Sequence, residues 1–113
     1  IRKDRIDAVF AHGSALREED EAEAEGIAFL FGKKVPVTTF TPYTGFLFGA
    51  SGAVNTALAL ICMENGILPP TPGASPHREI DLVTGQPRRK ELHTVLVNSI
   101  GLGGSAASIV LSR

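Results

Sequence analysis

Three stretches of this sequence hold residue types that can do chemistry. The first is Ala11-His12-Gly13-Ser14, directly after the short apolar run Ile6 to Phe10. A polar residue and a glycine at the carboxyl end of a buried strand stand where α/β proteins place their sites. An imidazole there can take or give a proton near neutral pH. The second is Asn98-Ser99, followed by Gly101-Leu102-Gly103-Gly104. Three glycines in four positions predict backbone at positive φ, or backbone that something approaches closely. The N–H groups of such a loop can hold a phosphate or a developing oxyanion. The same pattern also describes a plain hairpin between two buried strands. The third is Cys62, set among Leu60, Ile61 and Met63. It lacks a glycine elbow or a basic neighbour to lower its pKa, so it reads as a small buried hydrophobe, not a nucleophile. His77 and His93 read as surface residues. One cysteine and three scattered histidines form no metal-ligand spacing, so no metal site is expected.

These groups need elements to position them. Ile6 to Phe10 (IDAVF) reads as a buried strand. Arg17 to Glu25 is rich in acid, which suits a first helical turn. With Ala24, Ile27, Ala28 and Phe31 at helical spacing and Gly32 as a stop, a helix is predicted from about Glu19 to Phe31. Its acidic run reads as a solvated face. Val35 to Phe40 reads as a second strand, with Pro36 where no ladder donor is needed. Thr41 to Thr44 reads as a loop. Gly45 to Met63 carries no charge and approaches the ~20 residues of a membrane span. Ser51, Asn55 and Thr56 and the small front half Gly49 to Ala53 favour instead a buried helix pressed against other backbone. Pro69 to Pro76 is an extended loop, and Ile80 to Thr84 a short edge strand. Gly85 to Glu91 is a polar turn in which Arg88-Arg89-Lys90 reads as solvated. Val95 to Val97 and Ile109 to Leu111 close the pattern. The order β-α-β-α-(β)-β-β is that of a layered α/β domain.

The chain has 113 residues and a formal net charge of −1. That length suits one domain with a real core. The charge balance argues against a nucleic-acid binder. A single cysteine excludes an internal disulfide framework and fits a reducing, cytoplasmic compartment. No signal peptide is visible. With Ile1 first and Met63 the only methionine, the sequence reads as part of a longer product.

Taken together, these motifs resemble the β-ketoacyl synthases, condensing enzymes of fatty-acid and polyketide synthesis with the thiolase fold. The resemblance rests on Ala11-His12-Gly13-Ser14, on Asp20 and Glu23, and on Gly45 with Gly49-Ala50-Ser51-Gly52-Ala53. Pro69-Pro70-Thr71 and Asn98-Ser99-x-Gly-x-Gly-Gly complete it. It covers Ile6 to Leu111 and implies the second of two similar α/β halves. The implied architecture is a five-stranded mixed sheet of order 3-2-1-4-5, with Ile6 to Phe10 at its centre. The helix Gly45 to Met63 would be sandwiched between the two halves. The resemblance also implies a nucleophilic cysteine in the first half, an acyl carrier protein as partner, and a homodimer or heterodimer. Its phosphopantetheine thioester would be the substrate, with no further cofactor.

Site roles follow from the same resemblance. His12 matches the first of two family histidines. Ser14 replaces a threonine conservatively, while Leu16 replaces another and loses its hydroxyl. Thr41 stands at a lysine position, Phe46 at the second histidine, and Asn55 where many members carry a glutamate that pairs with the lysine. Phenylalanine can neither donate a hydrogen bond nor shuttle a proton. Joint loss of the lysine and its partner leaves no uncompensated buried charge, which marks a relaxed or repurposed site. In the glycine loop, Asn98, Ser99, Gly101, Gly103 and Gly104 match. Backbone N–H around Leu102, Gly103 and Gly104 would help form the oxyanion hole. Leu102 stands where the family has an aromatic gate, and Ile100 replaces another aromatic. Two functions stay open: a decarboxylative condensing acyltransferase using His12, or a non-catalytic partner subunit of chain-length-factor type.

Overall fold

The computed structural model describes residues 2–101 and 103–113. Its elements are β1 (Ala8–Ala11), α1 (Arg17–Phe31), β2 (Pro36–Thr39), α2 (Thr41–Thr44) and α3 (Ser51–Asn65), then β3 (Ile67–Leu68), β4 (Asp81–Leu82), β5 (Arg88–Arg89), β6 (Thr94–Ile100) and β7 (Ala106–Ser112). One sheet has the order β4-β2-β1-β6-β7. Counting only its five strands, that is the expected 3-2-1-4-5, with the first strand at the centre. Val9 lies opposite both Val37 of β2 and Leu96 of β6, in parallel register. β4 extends the sheet parallel to β2, as the expected edge strand, and β7 runs antiparallel to β6.

Side chains alternate across this sheet, so each face builds its own core. Ala8, Phe10, Val95 and Val97 point to the face covered by α3, where they meet Ala59, Cys62, Met63 and Leu68. Phe10 and Phe40 stack there with ring centroids 5.2 Å apart. Val9 and Val37 point the other way, toward Ile27 and Phe31 of α1. Ile27 and Phe31 are four residues apart and share one helical face. α1 stops at Gly32, whose φ of 56° is left-handed.

The uncharged stretch is not one helix from Gly45 to Met63. Thr41–Thr44 forms a short helical turn where a loop was expected, and the chain then turns sharply at Gly45, φ 74°. A 3-10 turn at Phe48–Ala50 follows, and α3 runs on to Asn65. The break has a local cause. The Leu47 N–H donates to the Ser51 hydroxyl at 3.1 Å, and Phe48 sits at φ 52°. α3 has 15 residues, and no helix among the described residues is long and apolar enough to cross a membrane. Its small front meets a side chain, not the expected backbone: a Cβ on Gly52 would lie 3.2 Å from the Ser99 hydroxyl, while one on Gly49 would meet nothing within 4 Å. Leu60 and Ile61 remain exposed on its far side.

Arg88-Arg89-Lys90 is not a solvated turn. Arg88–Arg89 pairs antiparallel with Ile67–Leu68 in a separate ribbon. Arg88 grips both carboxylate oxygens of Asp81 at 2.5 and 3.0 Å, and Lys90 donates to the Asp7 carbonyl at 2.8 Å. Arginine reaches a carboxylate with two parallel N–H groups, which fixes β4 to this ribbon.

Candidate active site

The chain leaves β1 at Ala11 and turns at once. His12 follows, 1% exposed, then Gly13 at φ 55°. Gly13 admits no side chain: a Cβ would fall 2.5 Å from the Thr39 hydroxyl. The turn is held by a carboxylate that the acidic run of α1 supplies. Glu23 accepts the His12 N–H at 2.8 Å and the Gly13 N–H at 3.0 Å. It also accepts the Asn98 side-chain amide at 3.2 Å, while the Asn98 carbonyl oxygen accepts from the Ser108 hydroxyl at 2.8 Å. One glutamate thus ties α1, the His12 turn and the β6–β7 hairpin together with charge-assisted bonds.

The acid run is therefore not uniformly solvated. Glu19, one turn before Glu23, accepts from the Ser14 hydroxyl at 2.7 Å. Asp20 faces inward beside them. Burial pushes its carboxyl above the ordinary range, and repulsion from Glu23 adds to that, while backbone N–H groups of Ser14 and Ala15 act the other way. The spacing 19, 20, 23 on one helical face was the available signal.

From the other side, Thr39 and Thr41 both donate their hydroxyls to the His12 carbonyl, at 3.2 and 2.7 Å. Thr41 thus serves the backbone of the histidine and carries no charge toward its ring. The His12 ring meets Phe46 edge to face, with centroids 5.2 Å apart and planes at 87°. Phe46 in turn stacks on Phe48 at 4.9 Å and 17°. Neither ring nitrogen of His12 has a hydrogen-bond partner among the described residues. Asn55 is buried on α3, one turn after Ser51.

The glycine loop is the hairpin between β6 and β7. Seven residue pairs zip it, from Thr94↔Ser112 to Ile100↔Ala106. The expected close approach and positive φ both occur. Gly101 leaves no room for a Cβ beside the Ser105 hydroxyl, and Gly103 and Gly104 sit at φ 95° and 92°. The Gly104 N–H donates to the Gly101 carbonyl at 3.3 Å and is occupied within the turn. Leu102 lies outside the described residues. A cavity of about 410 Å³ opens between this hairpin and the aromatic pair, lined by Phe46, Phe48, Ser99, Ile100 and Ala106 among others.

The structure thus gathers His12, Asp20, Glu23, Thr41, Phe46 and Asn98 around one turn. Glu19, Thr39, Phe48 and Ser108 also belong there, and the sequence alone did not single them out. Cys62 lies apart, in the core beneath α3, where burial pushes its thiol up to about 11. It is buried and protonated, as expected. His93 is exposed, whereas His77 is half-buried.

Comparison with known proteins agrees with this geometry. Residues 1–75 match the model of the β-ketoacyl synthase C-terminal domain. The chain is 36% identical to the ketoacyl synthase beta subunit of the tetracenomycin polyketide synthase of Streptomyces glaucescens, across 100% of this chain and 29% of that protein. It is 33% identical to a 3-oxoacyl-[acyl-carrier-protein] synthase 2 of Coxiella burnetii, with the same two coverages. A crystal structure of a β-ketoacyl synthase from Burkholderia phymatum superposes with a TM-score of 0.95 at 26% identity, covering all of this chain and 29% of that one. The chain spans under a third of the length of these relatives. On the matched domain, the sheet order and the turn at His12, this chain belongs to the β-ketoacyl synthase family, as its thiolase-like C-terminal domain.

Proposed function

We propose that this chain is the C-terminal domain of a ketosynthase-like partner subunit, which holds and shapes an acyl thioester without itself driving decarboxylative condensation. The observation that carries this is the packing of Phe46, which can neither give nor take a proton, edge to face against the His12 ring. A general acid or base must lie within hydrogen-bond reach of the proton it moves. Here the three positions that would supply charge and proton transfer hold Thr41, Phe46 and Asn55. The partners of the full-length protein are then an active ketosynthase subunit, in a heterodimer, and an acyl carrier protein. Its ligand is the carrier's phosphopantetheine-linked acyl chain, and no other cofactor is needed. The relative described as a beta subunit of a polyketide synthase supports this reading.

A second reading keeps the chemistry, and the intact His12 turn favours it. There the full-length protein condenses malonyl-carrier protein with an acyl thioester, and His12 polarises the thioester carbonyl. The glycine loop, around Leu102, Gly103 and Gly104, would supply the oxyanion donor. The two separate in one experiment. The full-length protein receives acyl- and malonyl-carrier protein, and CO2 release and condensation are measured. Activity no greater than that of a His12→Ala control, restored on adding an active ketosynthase subunit, supports the partner. Activity that His12→Ala abolishes establishes the enzyme.

A further inference from the structure

The aromatic pair at the cavity has a feature that packing alone does not require. Phe48 is 67% exposed yet sits at φ 52°, a conformation in which a bulky side chain is strained. Backbone strain of this kind persists where surroundings impose it, which is most often at sites. At Phe48 the strain holds a ring flat on Phe46, and Phe46 rests edge-on against the buried His12. The rings form a continuous series from the imidazole to the cavity. Opposite them the wall comes from the hairpin, where Ile100 stands among small residues, Ser99, Gly101, Ser105, Ala106 and Ala107. No charged side chain lines the space among the described residues. The result is a cavity with an aromatic face on one side and an aliphatic, mostly small wall on the other.

We propose that Phe48 is a specificity-determining residue, which makes this cavity prefer flat, conjugated acyl thioesters over saturated ones of the same length. A conjugated chain can lie offset against the stacked rings, whereas a saturated chain is thicker, twisted, and gains only area burial. The inference rests on the reading above that an acyl thioester enters this cavity.

The test is binding, so it does not depend on turnover. The full-length protein is titrated with the N-acetylcysteamine thioesters of sorbate and of hexanoate, which share one chain length. The sorbyl thioester binds roughly 3- to 10-fold tighter, the ratio that an aromatic contact of this kind supports. In Phe48→Leu, which keeps an apolar side chain but no ring, the ratio falls to about one. Phe48→Gly relieves the strained φ, at an entropic cost only, and it gives the same ratio. Equal binding by the unaltered protein, or a preference that survives both substitutions, overturns the role of Phe48 alone. Failure of both thioesters to bind overturns it together with the acyl-site reading.

Discussion

Two regions border the same histidine and have fared differently. The turn after β1 and the glycine hairpin are fastened by hydrogen bonds to backbone and amide groups: Glu23 to His12, Gly13 and Asn98, and Ser108 to Asn98. The stretch from Thr41 to Asn55 presents a threonine that serves a carbonyl, an aromatic ring, and a neutral amide. The first region is tied together through backbone hydrogen bonds, and the second is where, on the reading proposed above, charge and proton transfer would be delivered. A scaffold fastened through the backbone tolerates few changes, because a lost partner leaves a buried N–H unpaired. Groups that only deliver a proton can be exchanged for apolar or neutral ones of similar bulk, provided that a charge pair leaves as a unit.

The comparison can be broken from the second region. Thr41→Lys, Phe46→His and Asn55→Glu combined should raise CO2 release from malonyl-carrier protein by the full-length protein about 100-fold or more, as general acid–base groups provide. Thr41→Lys alone should destabilise, since it adds a charge with no partner. If the triple variant releases CO2 no faster than the unaltered protein, the residues at positions 41, 46 and 55 are not what sets its activity.

The first region offers two smaller effects. Glu23→Ala orphans the His12 and Gly13 N–H groups and should cost about 3 kcal/mol in urea unfolding, with Glu23→Gln roughly half as costly. Near-equal values for the two would show that the carboxylate is not the clamp. Gly13→Ala meets both a positive φ and the Thr39 hydroxyl and should cost about 2 kcal/mol. Coupling it with Thr39→Ser, which keeps the donor but frees a methyl, should recover part of that loss. The smallest effect returns to the second region. Phe46→Leu removes the edge-on ring from His12 and should cost about 1 kcal/mol. A much larger loss would place Phe46 with the scaffold.

Much of this was legible beforehand, for reasons that particular residues show. Ile6 to Phe10 and Val35 to Phe40 announced strands by their apolar, β-branched runs, and the structure covers both of their faces. The final hairpin was read too short, since Asn98, Ser99 and Ser105 to Ser108 look like turn residues. They pair in β6 and β7 because the ladder is set by backbone and register, which small polar side chains do not oppose. The helix after Gly45 was read too long. Apolar composition says that a segment is buried, but not that its backbone stays helical through Gly45 and Phe48. Arg88 looked solvated because its partner Asp81 belongs to another strand pair.

What the sequence determined by itself was the layered α/β order, the His12 turn and the absence of charge at Thr41, Phe46 and Asn55. These follow from local pattern and residue chemistry, which need no distant partner. Tertiary structure alone decided that Glu23 clamps that turn to Asn98, 75 positions away, and that Phe46 and Phe48 stack between His12 and a cavity. Such contacts depend on where the sheet brings remote segments, and the geometry of side chains meeting across it is not written in the order of residues along the chain.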